Sequence, residues 1–327
     1  MVVTRLYFEI PDTSSSTDNE ASYTIDLARE LSKHHRRLIR QKQTFTDYGG
    51  IYQDSQNSNA YFSTAPNHWV TKRAVNRCFK AWKKQVSDMM STRGEADDSQ
   101  NALRTGKWSD FKVLLDSRTS STSPDHTGGY LQAKDAHGVN LPSGEWNYTT
   151  LSRPRPDVEQ SGAYVTVPSD QFDLNIVGPH TESGADGDGD RNITRLGMIK
   201  SWLDSRPIPN TSIDDPDNNP NMVTDPIFQM FAVGDGDEDE QIVSAINDEN
   251  DFPPYDLDLL YGAHSTASDH GENLQMQAIV SPDTTTGVAA VPGFEAICGL
   301  VRIHIDGNTG SSGAALILDV ESNGVGF

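Results

Sequence analysis

Short segments in which apolar and polar residues alternate recur along the chain, the pattern of strands with one buried face. The segments that we predict as strands are 5–10, 109–116, 145–152, 163–168, 171–178, 272–281, 294–306 and 313–322. Between them run segments rich in Pro, Gly, Asp and Asn. Because strands and helices do not alternate strictly, a doubly wound parallel sheet is disfavoured. The pattern predicts an all-β protein, an antiparallel sandwich or barrel with inserted short helices and long loops.

Residues 67–91 carry the clearest helical pattern. Their apolar side chains recur at steps of three and four residues from Val75 to Met89, which is typical of an amphipathic helix. Shorter helices are predicted over 196–205 and 239–250.

The remaining segments are predicted with less regular structure, all within a single domain spanning 1–327. Residues 23–46 fit a helix in part, but strands at both flanks, 23–27 and 42–46, fit equally well. Residues 47–59 contain a Gly pair and many polar residues, and we predict a loop there. Long acidic loops are predicted at 117–144 and, around the helix at 196–205, at 179–226. The glycine-rich stretch 307–313 precedes a strand rather than a helix, which predicts a hairpin loop rather than a phosphate loop.

Charge is unevenly distributed along this acidic chain. The chain has 26 Lys and Arg against 47 Asp and Glu, a formal net charge of −21. Residues 1–118 hold 18 of the basic and 14 of the acidic residues, whereas residues 119–327 hold 8 basic and 33 acidic residues. No run of 18 apolar residues occurs, so we expect no membrane-spanning helix. Two cysteines, Cys78 and Cys298, exclude a disulfide framework.

The cations concentrate in two segments. Residues 72–84 hold six of them, and a second group lies at 36–42. The candidate nucleic-acid-binding residues are Arg36, Arg37, Arg40, Lys42, Lys72, Arg73, Arg77, Lys80, Lys83 and Lys84. Such groups neutralise phosphates without reading base sequence. Three interpretations stay open: contact with nucleic acid, contact with an acidic partner, or a solvated helix face. Trp69, Phe79 and Trp82 could stack on bases, but packing against the core is the favoured interpretation.

One acidic stretch begins like a calcium-binding loop. Asp186, Asp188 and Asp190 supply oxygens at its first, third and fifth positions. The sixth and twelfth positions hold Arg191 and Gly197 instead of the Gly and Glu that the loop requires. A solvated acidic loop is therefore favoured, and we expect no cofactor. A divalent cation such as calcium, bound between subunits, stays open.

Motifs that would indicate an enzyme are absent from the sequence. It contains no nucleophile elbow, no Walker motif, no HExxH and no zinc-type spacing of His and Cys. We therefore predict a protein that is not an enzyme.

Several stretches of the chain resemble the capsid proteins of circular Rep-encoding single-stranded DNA viruses, especially those of the environmental and smacovirus-like group. The stretches that carry the resemblance are TFTDYGGIYQDSQNSN with APNHW, KWSDFKVLLD, LGMIKSWLDSRP, VPGFEAICGLVRIHIDG and AALILDVES. The resemblance implies a single jelly roll, eight antiparallel strands in two facing sheets. It also implies a virion protein whose partners are its own copies and viral single-stranded DNA. The host receptor stays unknown.

The chain departs from this group in one respect. Many such capsid proteins begin with an Arg-rich arm, whereas the first 28 residues here hold one basic residue, Arg5. Either the clusters at 36–42 and 72–84 replace that arm on the inner wall of the shell, or the genome is held weakly. We expect the acidic remainder to face outward. Candidate residues for contacts between subunits are Phe228, Met230, Phe231 and Tyr255.

Two alternatives have different consequences. A monomeric β-sandwich that binds carbohydrate or another ligand would not bind DNA. A hydrolase on a β scaffold would need paired carboxylates in a deep pocket.

Overall fold

The structure is a computed structural model, and it describes part of the chain. The described residues are 3–11, 20–93, 108–116, 129–153, 158–160, 163–165, 170–185, 191–205, 274–307, 309 and 313–324. The helices are α1 (Leu27–His35), α2 (Trp69–Arg93) and α3 (Met198–Asp204). The strands in the first half of the chain are β1 (Thr4–Ile10), β2 (Glu20–Asp26), β3 (Thr44–Asp54), β4 (Asn59–Thr64), β5 (Ala133–Lys134), β6 (Thr150–Arg153), β7 (Val158–Gln160) and β8 (Ala163–Val165). The others are β9 (Asp170–Asn175), β10 (Thr181–Ala185), β11 (Arg191–Gly197), β12 (Gln275–Val280), β13 (Val288–Val291), β14 (Phe294–Ile297), β15 (Leu300–Asp306) and β16 (Ala314–Ser322).

Two antiparallel sheets form the body of the protein. The first sheet has the strand order β13-β3-β16-β1-β5, with β14 also paired to β3, and the second has the order β12-β4-β15-β2. Buried apolar side chains of both sheets belong to one cluster, so the sheets face each other across a shared core. The rings of Phe62 in β4 and Phe294 in β14, 6.1 Å apart, span this core. The mainly antiparallel β class predicted from the sequence is confirmed.

The last two long strands lie centrally. In β15, Ile303 is paired with Tyr23 of β2 on one side and Phe62 of β4 on the other. In β16, buried and partly buried residues alternate along all nine positions, because one face meets the core. β16 pairs with β1 and β3 on its two sides. Each of the two strands therefore has a partner on both sides.

The predicted loop at 47–59 is wrong over most of its length, because β3 continues to Asp54 and β4 begins at Asn59. The Gly pair lies inside a strand rather than a turn. A Cβ on Gly50 would stand 2.1 Å from the backbone oxygen of Ile317 in β16, so only glycine fits this close approach of two strands.

The predicted single strand at 294–306 is two strands in different sheets. Cys298 and Gly299 between them have left-handed φ values of 58° and 68°, which turn the chain from β14 in the first sheet to β15 in the second. A Cβ on Gly299 would lie 2.8 Å from the Phe45 ring, so the turn depends on glycine. The predicted hairpin at 307–313 is also wrong, since β15 and β16 belong to different sheets.

A long insertion between β4 and β12 carries a second core. This core gathers buried residues of α2, α3, β6, β9 and the segment 111–115. The predicted helices at 67–91 and 196–205 are confirmed as α2 and α3, whereas the helix predicted at 239–250 lies outside the described residues. The small sheet of the insertion has the order β10-β11-β9-β6, so the loop predicted from residue 179 onward is wrong at β10 and β11.

The predicted strand at 109–116 is wrong as well. Its residues 111–115 are buried and extended, but they form one isolated bridge, between Leu114 and Asn175, instead of a strand. The Leu114 backbone N–H donates to Leu174 O at 2.9 Å and the Leu114 carbonyl accepts from Ile176 N at 3.0 Å, so the segment runs beside the end of β9 without forming a regular strand. Its apolar pattern reflects burial in the second core. The strand predicted at 145–152 begins only at Thr150, as β6. Those at 163–168 and 171–178 correspond to β8 and β9.

Candidate nucleic-acid interface

Both basic segments lie at one end of the sandwich. Residues 27–43 connect β2 to β3, and α2 opens the insertion after β4. The backbone bonds Leu27 N–Gly299 O of 2.8 Å and Cys298 N–Gln43 O of 3.0 Å hold the first connection against the turn between β14 and β15. The start of β15 pairs with the ends of both β2 and β4, so the insertion opens at the same end. We call this the basic end.

The connections at the other end are chemically different. The two that the structure describes in full, 55–58 and 281–287, contain one Asp residue, Asp283, and no Lys or Arg. The backbone bond Asp54 N–Gly287 O of 2.8 Å brings these two together. The fold thus separates cations toward one end of the sandwich.

Helix α2 has a buried apolar face and an exposed cationic one, as predicted. Val70, Ala74, Val75 and Cys78 are buried in the second core. Lys72 is half-buried, and the exposed cations of the helix are Arg73, Arg77, Lys80, Lys83 and Lys84. Apolar burial fixes the helix, so its cations stay available to a partner.

The segment 36–42 is held in place by the end of α1. Arg36 caps the helix in a left-handed conformation, with φ 51°, and its backbone N–H donates to the Ser32 carbonyl. The Ser32 hydroxyl in turn accepts a hydrogen bond of 2.9 Å from the Ile39 backbone N–H. This turn leaves Arg36 and Arg37 exposed. Arg40 is also exposed, and its guanidinium lies 3.6 Å from the Asp110 carboxylate, an ion pair of the weak surface type.

The structure brings the two basic segments into contact. The ammonium of Lys42 lies 4.7 Å from the centre of the Phe79 ring of α2. Partial burial lowers the pKa of Lys42, and the nearby charge of Lys80 lowers it further. This contact brings Lys42 close to Lys80, 38 positions away in the sequence. We call the cations of the two basic segments together the basic surface: Arg36, Arg37, Arg40, Lys42, Lys72, Arg73, Arg77, Lys80, Lys83 and Lys84.

The aromatic residues divide between packing and exposure. The rings of Phe79 and Trp82 are half-buried and lie 5.6 and 6.0 Å from Phe111, as expected for packing against the core. Trp69 does not face the core as predicted, because it is 56% exposed and meets Trp202 edge-on. The sequence analysis missed a further exposed indole, Trp108.

A buried carboxylate, also missed from the sequence, organises the basic end. Asp26 caps α1 and accepts hydrogen bonds from Arg29 N at 3.1 Å, Gln41 Nε2 at 3.2 Å and Trp146 Nε1 at 3.0 Å. Burial raises its pKa to about 6. Asp26 thereby ties α1, the basic segment and the insertion together. Its N-cap bond to Arg29 is local, but its other two donors lie 15 and 120 positions away in the sequence, so the sequence does not mark Asp26 as a link between them.

The other predicted site residues fall elsewhere. Asp186, Asp188 and Asp190 lie outside the described residues, as do Phe228, Met230, Phe231 and Tyr255. The part of the chain that the structure describes holds no group of three or more His, Cys, Asp or Glu side chains suited to a metal ion. Cys78 and Cys298 are free and buried. Burial raises the pKa of the Cys78 thiol to about 12, so this thiol is a poor nucleophile.

Comparison with known proteins found no matching family model, no matching curated protein and no matching solved structure. Within the described residues, none of the helices combines the length and the apolar character needed to cross a membrane.

Proposed function

We propose that this protein is a viral capsid subunit, not an enzyme, that assembles with its own copies into a closed shell around single-stranded DNA. The proposal rests chiefly on the strand order. Counting β13 with β14 as one position, the strands of the two sheets in chain order are β1, β2, β3, β4, β12, β13/β14, β15 and β16. When these eight positions are numbered from 1 to 8, the strand order of the first sheet is 6-3-8-1 and that of the second is 5-4-7-2. The short strand β5 is added at the edge of the first sheet. We take this order as support for a jelly roll, an eight-stranded double sheet of two Greek keys.

Jelly rolls also occur in lectins and in cupins, so further observations are needed to choose among them. The interior of the sandwich is filled by large apolar side chains such as Phe8, Phe45 and Phe62, each fully buried. A core packed in this way favours a structural role over a site inside the barrel.

The charge distribution supports a nucleic-acid partner. The basic surface sits at one end of the sandwich, whereas the connections described at the other end carry no Lys or Arg. A shell that encloses DNA needs cations toward its interior. The strongly acidic remainder would face the medium.

Exposed apolar side chains on the sheets support self-association. On the first sheet Tyr48, Ile51 and Val288 are 59%, 44% and 38% exposed, and on the second Met276 and Ile279 are 55% and 56% exposed. In a closed symmetric shell, many such contacts add up even when each one is weak. The predicted contacts at Phe228, Met230, Phe231 and Tyr255 stay predictions.

Sedimentation velocity and electron microscopy of the purified protein test this function. We expect uniform closed particles, and DNA inside them that resists added nuclease. A monodisperse monomer that binds a sugar would instead support the carbohydrate-binding alternative. A monomer that cleaves a glycoside or ester substrate would support the hydrolase alternative, and either result would contradict the proposal.

A further inference from the structure

A cleft of about 580 Å³ lies beside the basic segment 36–42. Its walls come from the end of α1, from the segment 108–112 and from residues 141–146. We call it the Lys112 cleft. Its volume falls within the range of roughly 300–1,000 Å³ that is typical of small-ligand sites.

Lys112 is an unusual side chain for a cleft wall. It is only 6% exposed, yet its ammonium is 3.4 Å from one acceptor, the Trp108 carbonyl, and 4.7 Å from the centre of the Trp146 ring. Among the residues that the structure describes, no carboxylate lies within 4.0 Å of it. Burial lowers its pKa. The carboxylates of Asp110, Asp26 and Glu145 act on the ammonium only from a distance. Because an ammonium carries three donors and is costly to bury, an anionic oxygen in the cleft would stabilise it directly.

Two indole rings provide flat surfaces in the same cleft. Trp108 is 59% exposed. Trp146 is fixed in orientation, because its Nε1–H donates a hydrogen bond of 3.0 Å to the buried Asp26 carboxylate. An exposed ring next to cations is the arrangement on which single-stranded nucleic acids stack their bases.

The other charges of the cleft also favour an anion. Arg36 and Arg37 are exposed at its rim. Lys33 is paired with Glu30 at 2.8 Å, so it is already partly neutralised. The one carboxylate of the lining, Glu145, accepts a hydrogen bond of 2.6 Å from Asn147. An acidic peptide would use the cations but would leave the Trp108 ring without a role.

We propose that the Lys112 cleft binds a nucleotide of single-stranded nucleic acid, with its base stacked on Trp108 and its phosphate held by Lys112, Arg36 and Arg37. This inference rests on the proposed function and deepens it, because it names the unpaired base as the group that is recognised. A duplex keeps its bases stacked inside, so the cleft discriminates against it.

Binding by full-length protein to fluorescent oligonucleotides of about 12 nucleotides tests the inference, since that length matches typical single-strand site sizes. The probes are oligothymidylate, an abasic strand with the same phosphates, and a duplex. We expect oligothymidylate to bind about tenfold more tightly than the abasic strand, a ratio at the lower part of the range for one base–aromatic stack. Trp108→Ala should remove that advantage and leave abasic binding unchanged.

Control variants separate stacking from charge and from folding. Tyr48→Ala removes an equally exposed aromatic ring on the first sheet, outside the basic surface and the cleft, and should change neither affinity. Trp108→Phe should keep part of the advantage, because a smaller ring still stacks. Lys112→Met should weaken both single strands, because it removes a phosphate contact while keeping an apolar stem. Circular dichroism checks that each variant is folded.

Equal binding of oligothymidylate and the abasic strand, unaffected by Trp108→Ala, would overturn the inference. The inference would also be overturned if a polyglutamate peptide competed as strongly as oligothymidylate does, and to the same extent in the Trp108→Ala variant. The outcome is independent of shell formation. A protein that stays monomeric but loses the preference for bases with Trp108→Ala would contradict the capsid proposal and support the cleft. Closed shells whose DNA binding is unchanged by Trp108→Ala would support the capsid proposal and contradict binding in the cleft.

Discussion

At the scale of single residues, burial of carboxylates makes stability depend on pH. Asp47 in β3 is 2% exposed, and burial raises its pKa to about 7; the pKa of Asp26 is raised to about 6. Both values lie above the usual 3.8, so the folded state prefers the protonated form. The stabilisation that the protonated Asp26 and Asp47 give to the folded state is fully present below about pH 4, and it is lost as the pH rises through their folded-state pKa values of about 6 and 7.

We therefore predict that the free energy of unfolding falls between pH 5 and pH 8, and that Asp47→Asn makes this fall smaller. The amide keeps the size of the side chain but cannot ionise. The difference between the two proteins should be on the order of 1–3 kcal/mol across that range. Urea unfolding at constant ionic strength measures it. Parallel pH profiles for the two proteins would contradict the prediction.

At the scale of the elements, strong local patterns were sufficient to predict β1, β16, α2 and α3. Close contacts explain most of the failures. The sequence around Gly50 predicts a turn, but Gly50 lies in β3. It is glycine because the backbone of β16 occupies the space that a Cβ atom would need. The sequence around Gly299 predicts one long strand, but Gly299 lies in a turn. Its φ is left-handed, and the Phe45 ring leaves no room for a side chain. Neither contact is encoded near the residue itself.

The cationic face of α2 carries its own prediction. Replacing Lys80 and Lys84 together with Ala should weaken binding to single-stranded DNA and should lower the slope of log K against log salt by about 1.4, since each phosphate contact on a single strand contributes about 0.7. Alanine favours helix, so α2 should persist. Fluorescence anisotropy between about 50 and 200 mM salt measures the slope.

Arg5→Ala is the matched control for that experiment. Arg5 is an exposed cation of β1, outside the basic surface, and its guanidinium is paired with Asp319 at 2.7 Å. Its loss should leave the slope unchanged. An equal effect of Arg5→Ala and of the double variant would indicate diffuse attraction rather than a defined surface.

At the scale of the whole molecule, the two basic segments come together at one end of the sandwich, and the insertion that holds most of the acidic residues starts at the same end. The sequence was enough to identify both basic segments. It was not enough to predict that Lys42 meets Phe79, or that Lys112 and Trp108 form a cleft beside Arg36 and Arg37. Those contacts depend on how the insertion packs on the connection between β2 and β3, through buried hydrogen bonds such as the one of 2.6 Å that the Val113 backbone N–H donates to the Gln41 side-chain oxygen.

The central claim is that the basic end faces the interior of an assembled particle. Reconstruction of the purified particles by cryo-electron microscopy tests it most directly. We predict a closed shell in which α2 and residues 36–42 line the inner wall, against density for nucleic acid. A shell with these segments on its outer surface, or a protein that never leaves the monomeric state, would contradict the claim.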